Sequence, residues 1–159
     1  TDLRKTFASS EHQFMAHYLG IHTKLRSYKG AWYSGVVLDE AEKLVQRIRR
    51  QFPREERKYR QDVNRMHAEV RFLKAEREWA MAQFYDRRDE IGAARIYYTS
   101  ILHTYPDTPF AERAIGRLKE VENMPAKPPQ YLTWLVNLFP VEEPARPLFN
   151  SNDAGTYEP

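Results

Sequence analysis

Residues 78–114 read EWAMAQFYDRRDEIGAARIYYTSILHTYPDTPFAERA, and this stretch decides the fold of the chain. Its pattern predicts two helices joined by a charged, exposed turn at residues 86–89. Pro106 ends the second helix. Thr108 and Pro109 then start a third, because threonine is a helix cap and proline fits the first helical position. The stretch is therefore a helical hairpin followed directly by another helix.

The small and aromatic residues of this hairpin match the markers of a tetratricopeptide repeat, a helix–turn–helix unit of about 34 residues. The first helix of the pattern has a small residue where the paired helices cross and an aromatic residue one turn later. The second helix has a similar pair, and a proline follows at its end. The markers in register are Ala82, Tyr85, Ala94, Tyr98 and Pro106. The first marker falls on Glu78, beside Trp79, where the pattern usually has tryptophan. A generic helical hairpin is the alternative interpretation.

A second copy of the pattern lies 53 positions earlier in the chain. Ala41 and Pro53 correspond to Ala94 and Pro106 at this offset. The intervening apolar positions also correspond, with Val45, Ile48 and Phe52 matching Tyr98, Ile101 and Tyr105. The chain therefore contains an internal repeat.

A long helix is predicted between the two copies, over residues 55–87, because it contains no glycine or proline and keeps a three–four apolar rhythm. The rhythm includes Tyr59 and, at its far end, Ala80 and Phe84. Such a helix can serve both repeats, packing backward with its first half and forward with its second. A coiled-coil homodimer would show the same rhythm.

The first predicted helix begins at Glu11, behind a serine cap, and is followed by a loop over residues 29–38. Trp32 in this loop either covers the end of the hairpin or is an exposed aromatic anchor for a partner. Asp39 and Glu42 have the spacing of a capping box, which predicts that the next helix starts at Asp39.

The composition changes after residue 122. We expect a repeat domain over residues 1–122 and a proline-rich tail over residues 123–159. A short apolar helix is predicted within the tail at residues 131–139, and it contains Trp134. This helix docks either onto the repeats of its own chain or into the groove of a partner.

The chain has 159 residues, a net charge of +3 and no cysteine, which excludes disulfides and thiol catalysis. No run of eighteen apolar residues is present. The chain starts at Thr1, so it looks like a processed or truncated piece, and an upstream signal peptide or lipid anchor would not be seen. Residues 43–78 contain twelve Lys or Arg against six Asp or Glu. Such a basic face suits an acidic protein, lipid headgroups or nucleic acid, or it is simply solvated.

No motif of catalysis or metal binding is found. The chain lacks a glycine-rich phosphate loop, HExxH, GxSxG and an acidic cation loop. His67 and His103 are isolated on predicted helices, and nothing indicates a buried pair of carboxylates. We therefore predict a non-enzymatic protein without catalytic residues, cofactor or metal.

The sequence motifs described above, taken together, resemble those of the BamD (YfiO) family, the tetratricopeptide lipoproteins of the bacterial outer-membrane β-barrel assembly machinery. The likeness is carried by Phe52-Pro53, the long helix, Ala82 with Tyr85, the paired alanines before Arg95, and residues 105–108 (Tyr-Pro-Asp-Thr). It covers about residues 10–122 and corresponds to the C-terminal half of that family. The lipidated cysteine and the N-terminal repeats, implicated in substrate recognition, are absent from the chain, and the proline-rich tail is not part of the pattern.

The resemblance implies membrane association through a lipid anchor upstream of this chain, at the periplasmic face of the outer membrane. It also implies protein partners, above all the barrel-forming subunit of the assembly machinery, bound largely through the C-terminal repeats. No nucleic acid is expected. The alternatives are a generic periplasmic adaptor that binds peptides or envelope proteins and, from another class, an RNA-binding helical repeat.

The sequence therefore predicts an all-α, right-handed solenoid of about two and a half tetratricopeptide-like repeats with a proline-rich tail. The framework positions are Ala41, Pro53, Ala82, Tyr85, Ala94, Tyr98 and Pro106. Of the adjacent Tyr97 and Tyr98, one should fill the core while the other lines the concave surface. The candidate partner-binding residues are Trp32, Arg87, Arg88, Tyr97 and Trp134.

Overall fold

The structure, a computed structural model, describes residues 11–127 as a chain of α-helices without a strand. The helices are α1 (Glu11–Ser27), α2 (Val36–Gln51), α3 (Pro53–Lys58), α4 (Arg60–Asp86), α5 (Ile91–Thr104) and α6 (Pro109–Glu120). The predicted all-α, repeat-like fold is confirmed. The tail helix expected at residues 131–139, with Trp134, lies outside the described residues.

The six helices pack around two apolar cores. The first core lies between α1, α2 and the first half of α4, and its centre consists of Phe14, Ile21, Leu38, Ala41, Val45, Ile48, Phe52, Val63, Met66 and Val70. The second core lies between the second half of α4, α5 and α6, and consists of Ala75, Ala82, Ala94, Tyr98, Ile101, Tyr105, Phe110, Ala111 and Ala114. Each core is thus built around one copy of the sequence repeat.

Helix α4 belongs to both cores, as its uninterrupted rhythm suggests. Val63 and Val70 lie in the first core, whereas Ala75 and Ala82 lie in the second. The predicted helix over residues 55–87 is wrong in one respect, because the chain bends at Tyr59 (φ −106°, ψ 20°) and separates α3 from α4.

The amide hydrogen bonds continue through this bend, so the helix is deflected rather than unpaired. The Tyr59 N–H donates to Glu55 O at 3.0 Å, and the Val63 N–H donates to Tyr59 O at 3.0 Å. The Tyr59 ring stacks on Phe14 of α1 with centroids 5.1 Å apart. Packing of this ring against the first core accompanies a bend that no glycine or proline signals.

The two repeats end in the same way. Phe52 has φ −128° and ψ 56°, and Tyr105, 53 positions later, has φ −130° and ψ 48°. Each donates its N–H to an isoleucine carbonyl four residues back, Ile48 O at 3.0 Å and Ile101 O at 2.8 Å. Both aromatic side chains are buried. The internal repeat of the sequence is therefore a repeat of backbone conformation as well.

Helix α2 starts three residues earlier than predicted, at Val36, with Gly35 in the capping position and no side-chain cap. The expected capping box at Asp39 and Glu42 is wrong because both carboxylates accept hydrogen bonds from Lys74 of α4, each at 2.8 Å. Burial disfavours the charge of Lys74, but these two bonds outweigh it and raise the pKa of its ammonium group. The acidic pair therefore joins α2 to α4.

The segment after α6 is held against α5. The Arg95 guanidinium donates to the carbonyl of Val121 and, at 2.7 Å each, to those of Glu122 and Met124. The Gly92 N–H donates to Ala126 O at 2.8 Å. These contacts satisfy carbonyls that a helix end otherwise leaves unpaired. Residues 123–126, which the sequence assigns to the tail, remain attached to the repeat.

Candidate protein-binding surface

Four aromatic side chains form a continuous row across the two repeats. The ring centroids of Trp32 and Phe84 lie 6.1 Å apart, those of Phe84 and Tyr85 5.3 Å, and those of Tyr85 and Tyr97 5.4 Å. The last pair is stacked, with 13° between the planes. We call these four residues the aromatic row. It joins the α1–α2 loop to the end of α4 and the middle of α5.

Trp32 is the most exposed member of the row, with 62% of its surface accessible. A turn at Gly30 precedes it, where φ is +114°, a conformation that favours glycine, and the Tyr33 N–H closes the turn on Gly30 O at 3.1 Å. The Trp32 ring packs against Phe84 in an edge-on arrangement, and most of its surface faces solvent. That it anchors a partner stays a prediction. Tyr33 and Val36 beside it are also more than half exposed.

Basic side chains border the row at the α4–α5 turn. The Arg88 guanidinium lies over the Phe84 ring, 5.3 Å from its centroid, and its Nε donates to Glu90 at 2.8 Å. Arg87 is exposed but lines a neighbouring cleft of about 260 Å³. Of the predicted partner-binding residues, the structure thus brings Trp32, Arg88 and Tyr97 together.

The adjoining cleft contains an ion-pair network around Asp86, whereas Arg87 at the same cleft has no ion-pair partner among the described residues. Asp86 accepts hydrogen bonds from Arg117 Nε at 2.7 Å, from a terminal Arg117 nitrogen at 2.8 Å and from the Tyr98 hydroxyl at 2.9 Å. These bonds, those of Arg117 first, lower the pKa of Asp86 despite its burial. The expectation that the whole 86–89 turn is exposed is therefore wrong for Asp86. Arg87, Arg88 and Asp89 are exposed.

The framework positions fall into three environments. Ala41, Ala82, Ala94 and Tyr98 are buried. Pro53 and Pro106 are exposed at the ends of the repeats, and Tyr85 is half-buried within the aromatic row. Tyr97 and Tyr98 point in different directions, as adjacent helical residues must. Tyr98 fills the second core, and Tyr97 stacks on Tyr85 at the surface.

Phe84 and Tyr85 are the surface residues that sequence reasoning missed, since it assigned Phe84 to the apolar stripe of α4 and Tyr85 to the framework. The buried positions of this half of α4 are Ala75 and Ala82, whereas Ala80 and Phe84 are only partly covered. The available signal was the adjacency of two aromatic residues in the last turn before an exposed basic turn. Adjacent side chains on a helix point in different directions, so two large rings in succession favour an outward position for one of them.

Residues 11–127 contain neither a cluster of metal-ligand side chains nor a helix that could span a membrane. No group of three or more His, Cys, Asp or Glu residues that could hold a metal ion is present there. No helix of that range is long and apolar enough to cross a bilayer. His67 Nδ1 lies 3.4 Å from a terminal guanidinium nitrogen of Arg49. Burial, together with the positive charges of Arg49 and Arg71, lowers the pKa of the His67 imidazole.

Comparison with known proteins gives one match. The model of a protein family, YfiO, described as an outer membrane lipoprotein, matches residues 2–126. The matched range contains all six helices and every member of the aromatic row. No curated protein and no solved structure matches the chain significantly.

Proposed function

The chain belongs to the YfiO family of outer membrane lipoproteins, and from that premise we propose that it is a non-enzymatic scaffold in the assembly of outer-membrane β-barrel proteins. Its partner in this proposal is the barrel-forming subunit of the assembly machinery, whose periplasmic domains it binds at the periplasmic face of the outer membrane. The aromatic row, bordered by Arg88, is the contact surface.

The observation that carries the proposal is the continuous aromatic row, in which Trp32 is exposed and the other three rings are partly exposed. Tyr85 and Tyr97 lie on α4 and α5, which pack against each other, so the rings are already in position before a partner arrives. Tryptophan, tyrosine and arginine are the residues that most often dominate the energy of protein interfaces. A preformed surface also avoids the entropic cost of ordering side chains on binding.

The charge around the row favours a partner segment that combines an apolar side chain with acidic neighbours. Arg87 and Arg88 are both exposed, and Arg88 alone of the two has an ion-pair partner within the described residues, Glu90. An acidic residue on the partner would meet Arg87 while an apolar one contacts Trp32. Such complementary charge increases specificity and association rate.

The experiment that tests this proposal measures binding of the purified periplasmic domains of the barrel-forming subunit to the 159-residue chain and to Trp32→Ala. Loss of a central aromatic anchor weakens an interface by about thirtyfold or more. Trp32→Phe should retain much of the affinity, because a phenyl ring still reaches Phe84. Leu19→Ala is the matched control, since Leu19 is a similarly exposed apolar residue (57%) on α1, outside the row.

Equal affinity of Trp32→Ala and the unsubstituted chain would remove the aromatic row from the interface. Failure of the unsubstituted chain to bind the barrel-forming subunit, together with recovery of other envelope proteins on immobilised chain, would favour the generic adaptor instead. Thermal melting of each variant checks that the fold is intact.

A further inference from the structure

Positive charge is concentrated at one end of the first repeat. Residues 47–60 read RIRRQFPREERKYR and contain seven Lys or Arg residues against two Glu. They cover the end of α2, all of α3 and the first residue of α4. We call the surface formed by the seven cations the basic corner, and its members are Arg47, Arg49, Arg50, Arg54, Arg57, Lys58 and Arg60.

The cations of the basic corner are exposed, and six of the seven have no carboxylate partner within residues 11–127. All seven are exposed, whereas Glu55 and Glu56 are partly buried. Within residues 11–127 only Arg60 has a carboxylate partner, Glu56 at 3.8 Å. Elsewhere in the same range, Arg71, Lys74 and Arg117 are engaged with carboxylates. The corner therefore has charge available for an external anion.

The corner is built on a rigid base. Phe52 lies beneath it with 1% of its surface exposed, and its ring meets Phe14 edge-on at 6.1 Å. Tyr59 stacks on the same Phe14 ring at 5.1 Å. The backbone that carries the arginines is thus fixed to the first core. The backbone of the basic corner therefore needs little ordering when the corner meets an anionic surface.

We propose that the basic corner binds the anionic headgroups of a phospholipid bilayer. Six of the seven cations are arginines, whose planar guanidinium groups bind phosphate oxygens in pairs. No large apolar residue of range 47–60 is exposed, so the contact is made at the depth of the headgroups and not by insertion. Membership of an outer membrane lipoprotein family places a bilayer within reach of the chain.

The basic corner shares no residue with the aromatic row, so lipid binding would be a second property beside the proposed protein interface. Trp32 precedes the N-terminus of α2, whereas the basic corner lies at its C-terminus. The 16 residues of α2 span about 24 Å, so a bilayer and a protein partner can be bound at the same time. Single-stranded RNA fits the corner less well, because its binding sites combine charge with exposed aromatic rings, and Tyr59 is only partly exposed.

The test is co-sedimentation of the 159-residue chain with vesicles of phosphatidylcholine and phosphatidylglycerol (3:1) and with vesicles of phosphatidylcholine alone. The substituted chain carries Arg47→Gln, Arg50→Gln and Arg54→Gln, three exposed residues without a side-chain hydrogen bond or ion pair to the part of the chain that the structure describes. The matched control carries Arg26→Gln, Lys29→Gln and Lys119→Gln, which are also exposed and change the net charge equally. Binding of all three proteins to a single-stranded RNA oligonucleotide is measured in parallel.

We expect binding to the anionic vesicles alone, weakened by added salt, with a loss of roughly a hundredfold in the corner variant, since each cation near an anionic membrane contributes about fivefold. The control should retain most of the binding. The proposal is overturned if the chain does not bind anionic vesicles, if both variants lose binding equally, or if RNA binds and vesicles do not. The corner variant should still bind the barrel-forming subunit, so the two proposals fail independently.

Discussion

Arg117 of α6 clasps Asp86 at the end of α4 with two hydrogen bonds, at 2.7 and 2.8 Å, although 31 positions separate them in the sequence. The Tyr98 hydroxyl completes the site from α5 at 2.9 Å. One carboxylate thus joins all three helices of the second core. It also fixes the start of the turn that carries Arg87 and Arg88.

Replacing Arg117 with Ala should lower the free energy of unfolding by about 2 kcal/mol, because Asp86 would stay largely buried with fewer donors. Lys119→Ala is the control on the same helix, exposed and without an ion pair, and should change stability by less than about 0.5 kcal/mol. Urea unfolding of the two variants measures the difference. Equal stability of both variants would contradict a structural role for the pair.

The stabilisation by Asp86 should depend on pH in a defined direction. Its pKa is lower in the folded chain than in the unfolded chain, mainly because of Arg117. Its contribution is therefore complete above the unfolded carboxyl pKa of about 3.9 and is lost as pH falls through the lower folded value. The stability gap between the unsubstituted chain and Asp86→Asn should be constant from neutral pH to about pH 5 and narrow below pH 4. A gap that widens in acid would contradict this assignment.

Alanine should have different effects on stability at two helical glycines. A Cβ at Gly116 of α6 meets no atom within 4 Å, so Gly116→Ala should stabilise the chain by about 0.5–1 kcal/mol through helix propensity and a less flexible unfolded state. A Cβ at Gly92 would lie 3.1 Å from the Ala126 Cβ. Gly92→Ala should therefore not gain stability. In the unsubstituted chain the amide of residue 92 donates to Ala126 O, and hydrogen exchange of this amide should be faster in the variant. Thermal melting and exchange measured by NMR test both statements.

The buried alanines at equivalent positions of the two repeats should tolerate no larger side chain. Ala41 and Ala94 have no exposed surface, so leucine at either position should destabilise the chain by about 1–3 kcal/mol through overpacking. Ala68→Leu on the exposed side of α4 is the control for the substitution itself. Equilibrium unfolding compares the three, and a neutral Ala94→Leu would show that the helices do not pack as closely as described.

Lys74→Met should loosen α2 from α4. The substitution removes two hydrogen bonds to carboxylates and leaves Glu42, with a quarter of its side chain exposed, without its partner. A loss of about 1–2 kcal/mol is expected, since the site is partly screened by solvent. Lys43→Met, at an exposed position of α2 without an ion pair to the rest of residues 11–127, serves as control. Similar loss in both variants would mean that the ion pairs contribute nothing specific.

Much of this fold could be predicted from local patterns. The apolar rhythm identified the helices, and the offset of 53 residues identified two equivalent hairpins. The features that local patterns did not predict depend on contacts between residues that lie far apart in the sequence. Asp39 and Glu42 have cap spacing, yet their hydrogen bonds go to Lys74, about 30 positions away. The bend at Tyr59 coincides with stacking of its ring on Phe14, and no pattern in the sequence connects these two residues.

The candidate surface was only partly predictable for the same reason. Trp32, Arg88 and Tyr97 were selected for residue type and expected exposure, and the structure brings them together through Phe84 and Tyr85. Those two rings form the link because α4 ends with its last turn beside the α1–α2 loop. That proximity is a property of the tertiary arrangement, so no spacing within a single helix could have indicated it.

The sharing of α4 between two cores determines how a chain of this kind can grow or shrink. A break within α4 would divide the helix between its two cores, since Val63 and Val70 lie in the first core and Ala75 and Ala82 lie in the second. Phe52 and Tyr105 are the equivalent positions at which the two repeats end, with nearly the same backbone conformation. A duplication or deletion that respects the packing must therefore run from one such point to the next and comprise 53 residues. The repeating unit of this chain is therefore longer than the helical hairpin by which the repeat is recognised.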